Sequence, residues 1–318
     1  MKFLKLFVAI LVASFAVLGP VRAQEQATTI VVPFAAGGGT DVYVRMIADE
    51  MTQHGMPVIV ANKPGASGIV AASYVARARP DGRTVLVSFL GILANNTVLF
   101  NKLPYDPEKD FESVTQIAVQ PTILVGRADL PYHDIREMVA YAKANPGKIN
   151  RGSPGASVLS NLGPIYFEKQ AGISTTYIPF NGDSQAITAL LGGSIDIYGT
   201  SITSTLSLIR SGKLRLLGVM DAARLPQVPE APTFKESGFD IEASLRYYLS
   251  VPAGTPKTVV ETLNRAVNAA IADPALIAKA RALGMEPKGG TPQEMDHLIK
   301  ADADRWLPVL RSLNLPKT

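Results

Sequence analysis

The feature that most constrains this chain is its alternation of short apolar runs with amphipathic stretches, joined by loops rich in glycine. Thr29 to Val32 reads as a strand, followed by Pro33-Phe34-Ala35-Ala36-Gly37-Gly38-Gly39. A helix then opens at Thr40, with Val42, Met46 and Ile47 expected on its buried face. Val58 to Ala61 is the next strand, Asn62 to Gly68 leads into a helix through Arg79, and Thr84 to Phe89 is a third strand. Strands alternating with helices predict an α/β architecture with mainly parallel sheets.

The middle of the chain repeats this order. Ile123 to Gly126 reads as a strand, and Ile135 to Ala144 as a helix stopped by Asn145-Pro146-Gly147. Ile149 to Gly152 leads through Ser153-Pro154-Gly155-Ala156-Ser157 into a helix ending near Gln170. Thr176 to Phe180 runs into Asn181-Gly182-Asp183-Ser184 and a short helix that stops at Gly192-Gly193. Ile195 to Tyr198, Leu214 to Val219 and Tyr247 to Val251 are the remaining strands. Helices are expected over Lys257 to Ala272, over Pro274 to Leu283 and from about Thr291. No low-complexity linker divides the two α/β blocks, which implies lobes connected by strands crossing between them.

The first residues predict export. Lys2 and Lys5 precede Phe7 to Leu18, an apolar run broken only by Ser14, and Val21-Arg22-Ala23 offers small residues where a signal peptidase reads them. The run is shorter than the ~20 residues that span hydrocarbon, so cleavage after Ala23 is expected. Lys2, Lys5 and Arg22 would leave with that segment, taking the formal net charge from +4 to +1. So balanced a chain has no general attraction for nucleic acid. It has no cysteine, which excludes thiolate metal sites and Cys nucleophiles. A chain of this length can bury a core without disulfides.

Any chemistry should sit where glycine-rich loops run from strand into helix. First-turn N–H groups have no partner within the helix, and the macrodipole adds positive potential there. Such an end can hold a carboxylate without Arg or Lys. Pro33 to Asp41, Ser153 to Ser157 and Phe180 to Ser184 qualify. Asp41 would stabilise its own helix and repel a nearby anion. Enzyme signatures are absent: no G-x-S-x-G elbow, Walker A loop, H-E-x-x-H pair or G-x-G-x-x-G spacing occurs. His54, His133 and His297 are scattered through polar contexts and read as solvated surface residues. Asp196, at a strand, reads as structural.

Several segments resemble one family in order along the chain. Ile30 to Gly38 with Thr40-Asp41, Val60 to Gly68, Pro80-Asp81-Gly82-Arg83-Thr84, Leu103-Pro104-Tyr105-Asp106, Gly192-Gly193-Ser194-Ile195-Asp196 and Pro252-Ala253-Gly254-Thr255-Pro256 look like the Bug receptors. These are the solute-binding proteins of tripartite tricarboxylate transporters. The resemblance implies a two-lobed type II periplasmic binding-protein fold with the ligand cleft between lobes. The lobes would be residues 24–121 plus 249–318, and 122–248, after a signal peptide at 1–23. It further implies a periplasmic receptor that binds a small organic acid and delivers it to two membrane subunits, with no cofactor, metal or catalysis.

By the same resemblance, backbone groups of Phe34, Ala35, Ala36 and Gly37 face those of Phe180, Asn181, Gly182 and Asp183 around a carboxylate. Ser153 and Ser157 would add hydroxyls, and Asn95 a polar group from the first lobe. The chain departs from the family at Phe180-Asn181-Gly182, where Tyr-x-Gly is usual, at Ile197-Tyr198-Gly199-Thr200-Ser201, and at Arg246-Tyr247-Tyr248. Arg246 is a candidate partner for a distal carboxylate, because a guanidinium fork matches its two oxygens. The rival functions are a sensor docking on a signalling protein and a carboxylate-processing enzyme on the same scaffold.

Overall fold

The computed structural model describes residues 27–153, 157–180, 183–315 and 317. The expected signal segment, Asn181 and Gly182 lie outside these residues. Strand β1 (Thr28–Val32) leads into α1 (Gly39–Gln53), then β2 (Val58–Asn62), α2 (Ile69–Ala76) and β3 (Thr84–Ser88). A π-helical turn over Gly91–Asn95 and α3 (Asn96–Leu99) precede β4 (Phe111–Gln120). The chain continues through β5 (Thr122–Arg127), α4 (Ile135–Ala144), β6 (Asn150–Ser153), α5 (Leu159–Ala171) and β7 (Thr176–Pro179). Then come α6 (Asp183–Leu191), β8 (Ile197–Ser201), α7 (Ile202–Arg210) and β9 (Leu214–Val219). It ends with β10 (Leu245–Pro252), α8 (Lys257–Ile271), α9 (Pro274–Ala282), β11 (Glu286–Pro287) and α10 (Pro292–Ser312).

Two sheets result. One has the order β11-β4-β10-β3-β1-β2 and the other β7-β6-β8-β5-β9. They are mixed, which corrects the expectation of mainly parallel sheets. The pairs β1–β2, β1–β3, β6–β7 and β6–β8 are parallel, whereas β10, β4, β11 and β5 pair antiparallel. The cause is the crossing chain: β4 ends in the first sheet at Gln120, and β5 begins in the second at Thr122. The chain returns between β9 and β10. There Met220 N–H donates to Thr122 O at 2.8 Å, Thr122 Oγ1 to Ala243 O at 2.7 Å, and Ala243 N–H to Met220 O at 2.9 Å. These bonds tie both crossings into one junction between the lobes.

The core of the first sheet is built from Ile30, Val31, Val32, Leu86 and Val87 with helix residues laid on them. On α1 the buried stripe is Tyr43, Ile47 and Met51 with Val44 and Ala48, the i, i+4 rows of one helix face. Val42 is exposed and Met46 marginal, contrary to the sequence reading. Tyr43 sets the rotation, because its buried hydroxyl donates to Ile117 O on β4 at 2.7 Å. Burying a side chain of this size contributes roughly 1.5–3 kcal/mol, so the helix presents Tyr43 inward and leaves Val42 out. Helix α2 stops at Ala76, before the expected Arg79.

In the second lobe α5 covers one face of the sheet and α6 the other. Leu124, Ile197 and Leu217 pack with Leu162 and Phe167, while Ile123, Val125 and Tyr198 pack with Ala186 and Leu190. The last helix touches both lobes. It starts with a capping box between Thr291 and Glu294, accepts a 2.6 Å bond from Ser113 of β4 on Asp296, and sets Trp306 edge-on to Tyr166 of α5.

Candidate functional site

The loop after β1 is held in shape by one buried carboxylate. Asp41, in the first turn of α1, accepts Gly37 N–H at 2.8 Å and Arg45 Nε at 3.0 Å on Oδ2, and Asn62 Nδ2 at 2.8 Å on Oδ1. Asn62, at the end of β2, also donates to Phe34 O at 3.1 Å and accepts from Arg45 at 3.0 Å. Burial of Asp41 opposes its ionisation, but the bonds from Arg45, Gly37 and Asn62 and the Arg45 charge outweigh it. Its carboxyl is held below the usual range. The expected repulsion from Asp41 is therefore cancelled locally by Arg45. Gly37 has φ +81, a left-handed turn that favours glycine.

After this turn α1 begins at Gly38 without a side-chain cap, so no capping side chain occupies its first N–H groups. Ala35, Ala36, Gly37 and Gly38 are exposed, and Phe34 is half-buried. The Phe34 ring lies 5.5 Å from Phe89 and 6.3 Å, edge-on, from Tyr247 of β10.

The opposing side comes from the ends of β6, β7 and β8. Phe180 N–H donates to Ser153 O at 2.9 Å, and Ser153 and Ser157 are fully buried. Asp183 opens α6, but its carboxylate turns to the sheet. Oδ1 accepts from Tyr198 Oη and Oδ2 from Ser204 Oγ, each at 2.6 Å. Burial and the adjacent Asp183 charge push the Tyr198 phenol far above its ordinary value, so it stays a neutral donor.

The lobes meet on two flanks. On one, Asn95 Nδ2 donates to Ser157 O at 3.0 Å, and Gly91 leaves room for the Ser157 hydroxyl, since a Cβ there would lie 3.0 Å from Oγ. On the other, Tyr247 Oη donates to Gln120 Oε1 at 2.8 Å, and Gln120 Nε2 to Thr203 Oγ1 at 2.9 Å. A Cβ at Gly39 would come 3.2 Å from the Thr203 methyl. The start of α1 thus approaches Thr203, whose neighbour Ser204 holds Asp183. Among the described residues, Ser157 Oγ, Asn95 Oδ1 and Thr200 Oγ1 around the junction are buried without a hydrogen-bond partner.

Of the residues expected from sequence, the structure brings together Phe34 to Gly37, Asn95, Ser153, Ser157, Phe180 and Asp183 around this junction. It does not bring Arg246 there. Neighbouring strand residues face opposite sides, so Arg246 points away from the face that Tyr247 shares with Phe34. Its Nε lies 3.5 Å from Asp302 of α10. Asn62, Gln120, Tyr198, Thr200, Thr203, Ser204 and Tyr247 belong to the same surroundings but went unread as site residues. Asp196 is structural, accepting Arg127 at 2.9 Å and Asn150 N–H at 2.7 Å, and all three histidines are exposed.

Residues 43–315 match the profile of the tripartite tricarboxylate transporter family receptor. The chain belongs to that family. The resemblance drawn from its motifs, and the two-lobed α/β fold it implied, therefore hold. A Pseudomonas sp. (strain P51) UPF0065 protein from the tcbD–tcbE intergenic region is 34% identical over 287 residues, 89% of this chain and 84% of that protein. A Rhodopseudomonas palustris protein solved with adipate superposes with TM-score 0.86 at 31% identity, covering 92% of this chain and 98% of that one. MatC from the same organism, with bound malate, gives TM-score 0.82 at 31% identity, covering 92% and 100%.

Proposed function

We propose that this member of the family is a periplasmic receptor that closes its lobes, residues 24–121 plus 249–318 and 122–248, over a small organic carboxylate. It then passes the ligand to the two membrane subunits of a tripartite tricarboxylate-type transporter and performs no chemistry on it. The observation that carries the reading is the uncapped start of α1 facing a second lobe across a junction with unpartnered Ser157 Oγ, Asn95 Oδ1 and Thr200 Oγ1. A carboxylate offers two acceptors to the N–H groups of Gly38, Gly39 and Thr40 and to the two hydroxyls. Relatives carrying adipate and malate support the ligand class.

Phe34, Ala35, Ala36 and Gly37 supply one wall, and Ser153, Ser157, Phe180, Asn181, Gly182 and Asp183 the other, with Asn95 bridging. Closure follows from differential affinity: a ligand touching both walls binds the closed form better and shifts the population toward it. Arg246, paired to Asp302, supports α10 instead of the ligand.

The test is a thermal-shift and calorimetric titration of residues 24–318 with mono-, di- and tricarboxylates and their amides. Saturation near 100 times Kd stabilises by about 2.7 kcal/mol, a shift of several degrees. A shift with an acid and none with its amide supports the reading. Binding of amides alone removes it. Recovery of the ligand unchanged after incubation separates a receptor from an enzyme.

A further inference from the structure

We propose that Asp183 makes this site select monocarboxylates bearing a hydrogen-bond donor at the far end, an ammonium, hydroxyl or amide, and reject dicarboxylates. The inference rests on the carboxylate reading above and adds the chemistry of the ligand's other end.

Both lobes present an aspartate in the first turn of a helix at the junction, and only one is neutralised. Asp41 is paired with Arg45. Asp183 is held by two hydroxyls, Tyr198 and Ser204, neither of which brings a positive charge. Among the described residues no salt bridge reaches it. The Asp183 charge reaches the first sheet, where it helps keep the Tyr247 phenol of β10 protonated after burial, the larger cause. Asp183 also occupies the positive end of α6, cancelling the potential with which that helix would attract an anion. The start of α1, with its own aspartate neutralised, remains the place for a carboxylate.

The unpartnered groups make the same demand. Asn95 Oδ1 is fully buried and can only accept. Its amide nitrogen already bonds Ser157 O. Thr200 lies two residues beyond Tyr198 on β8, on the same face, and its buried hydroxyl can donate or accept. One carboxylate can use the hydroxyls and the α1 N–H groups. Asn95 Oδ1 then lacks a donor and the Asp183 charge opposes an anion. A donor-bearing end answers both, and a second carboxylate at neutral pH answers neither. Like charges brought together out of water also repel one another.

The experiment is calorimetric titration of residues 24–318 with two series matched in length. One is adipate, adipamate, ε-hydroxycaproate, ε-aminocaproate and caproate, and the other succinate, succinamate, γ-aminobutyrate and butyrate, with adipamide and succinamide as neutral controls. The expected result is that a donor-bearing monocarboxylate binds about tenfold or more tighter than the dicarboxylate of its length. In Asp183→Asn, folded as judged by an unchanged Tm, the dicarboxylate should gain by about the same factor. Equal or tighter dicarboxylate binding by the unaltered protein overturns the proposal without a variant, and leaves the carboxylate reading standing. So does an unchanged preference in a folded Asp183→Asn. Binding of the diamides alone, or of nothing in either series, overturns the carboxylate reading and this inference with it.

Discussion

The two helix starts at the junction use the same residue to opposite ends. At α1, Asp41 is nearly inaccessible and gathers Gly37, Arg45 and Asn62 into one network, so its charge builds the loop and is spent locally. At α6, Asp183 is half-buried and held by Tyr198 and Ser204, so its charge stays in the cleft. An acidic residue in a first helical turn is therefore no guide to anion binding by itself. What decides is whether a cation is bonded to it. On the proposed reading, one aspartate shapes the wall that takes a carboxylate, and the other defines what the opposite wall refuses.

Removing each aspartate is the strongest way to break this comparison. Asp41→Ala deletes three hydrogen bonds to a buried carboxylate, one of them from a cation, and should cost about 2 kcal/mol or more of stability. Thermal unfolding of the ligand-free protein, with Tm lower by several degrees, is the readout. Asp183→Asn keeps an acceptor for Tyr198 and should leave Tm nearly unchanged while altering ligand preference. If both substitutions destabilised equally, the division into a structural and a selective aspartate would be wrong.

Arg45→Ala sharpens the comparison from the other side, by making the first helix start resemble the second. The Arg45 side chain is 46% exposed but its partner Asp41 only 2%, so its loss should lower the unfolding midpoint, though by less than Asp41→Ala does. It leaves Asp41 charged and without a cation beside the loop proposed to bind the carboxylate. Affinity for the best carboxylate should fall several-fold, most of all at low ionic strength, where screening is weakest. Unchanged affinity would show that Asp41 is silent whatever its partner.

How much of this was legible in the sequence depends on whether the signal was local. The helix over Ile135–Ala144 was read to the residue, because Asp134 caps it, accepting Glu137 N–H, and Asn145-Pro146-Gly147 stops it. Strand Phe111–Gln120 went unread. Its buried positions include Thr115, Gln116 and Gln120, and its pairing with β10 shifts register twice, so no clean alternation reaches the sequence. Helix Ile202–Arg210 was also missed, since Ile-Thr-Ser-Thr carries β-branched and hydroxyl residues that favour strands or turns. The strand expected at Ile195–Tyr198 begins at Ile197 and runs to Ser201. At the site, the glycine loops were visible as motifs. The partners that decide their charge were not, because Asn62, Tyr198 and Ser204 lie 21, 15 and 21 residues from the aspartates they bond.

The smallest effect expected on binding is that of Arg246→Ala, and it separates the cleft from the ion pairs behind it. Arg246 and Asp302 lie on the far side of β10, beside the pair of Arg305 with Glu242 at 3.0 Å. Burial raises the Asp302 carboxyl above its ordinary 3.8, and the Arg246 and Arg305 charges only partly oppose the shift. A carboxyl with a raised folded-state pKa binds its proton more tightly folded than unfolded. It therefore weakens the fold above that pKa, and the loss is recovered as pH falls through it toward the unfolded value. Asp41 has the reverse sign: its contribution is present above the unfolded pKa and disappears as pH falls through the depressed folded one. Without Arg246 the Asp302 penalty grows, so the variant should lose about 1 kcal/mol at neutral pH and regain most of it in mild acid. Ligand affinity should stay within about threefold, since a group outside the cleft has little coupling to it. A large loss of affinity with no change in this pH dependence would place Arg246 in the cleft and make the second wall cationic, reversing the contrast between the two aspartates.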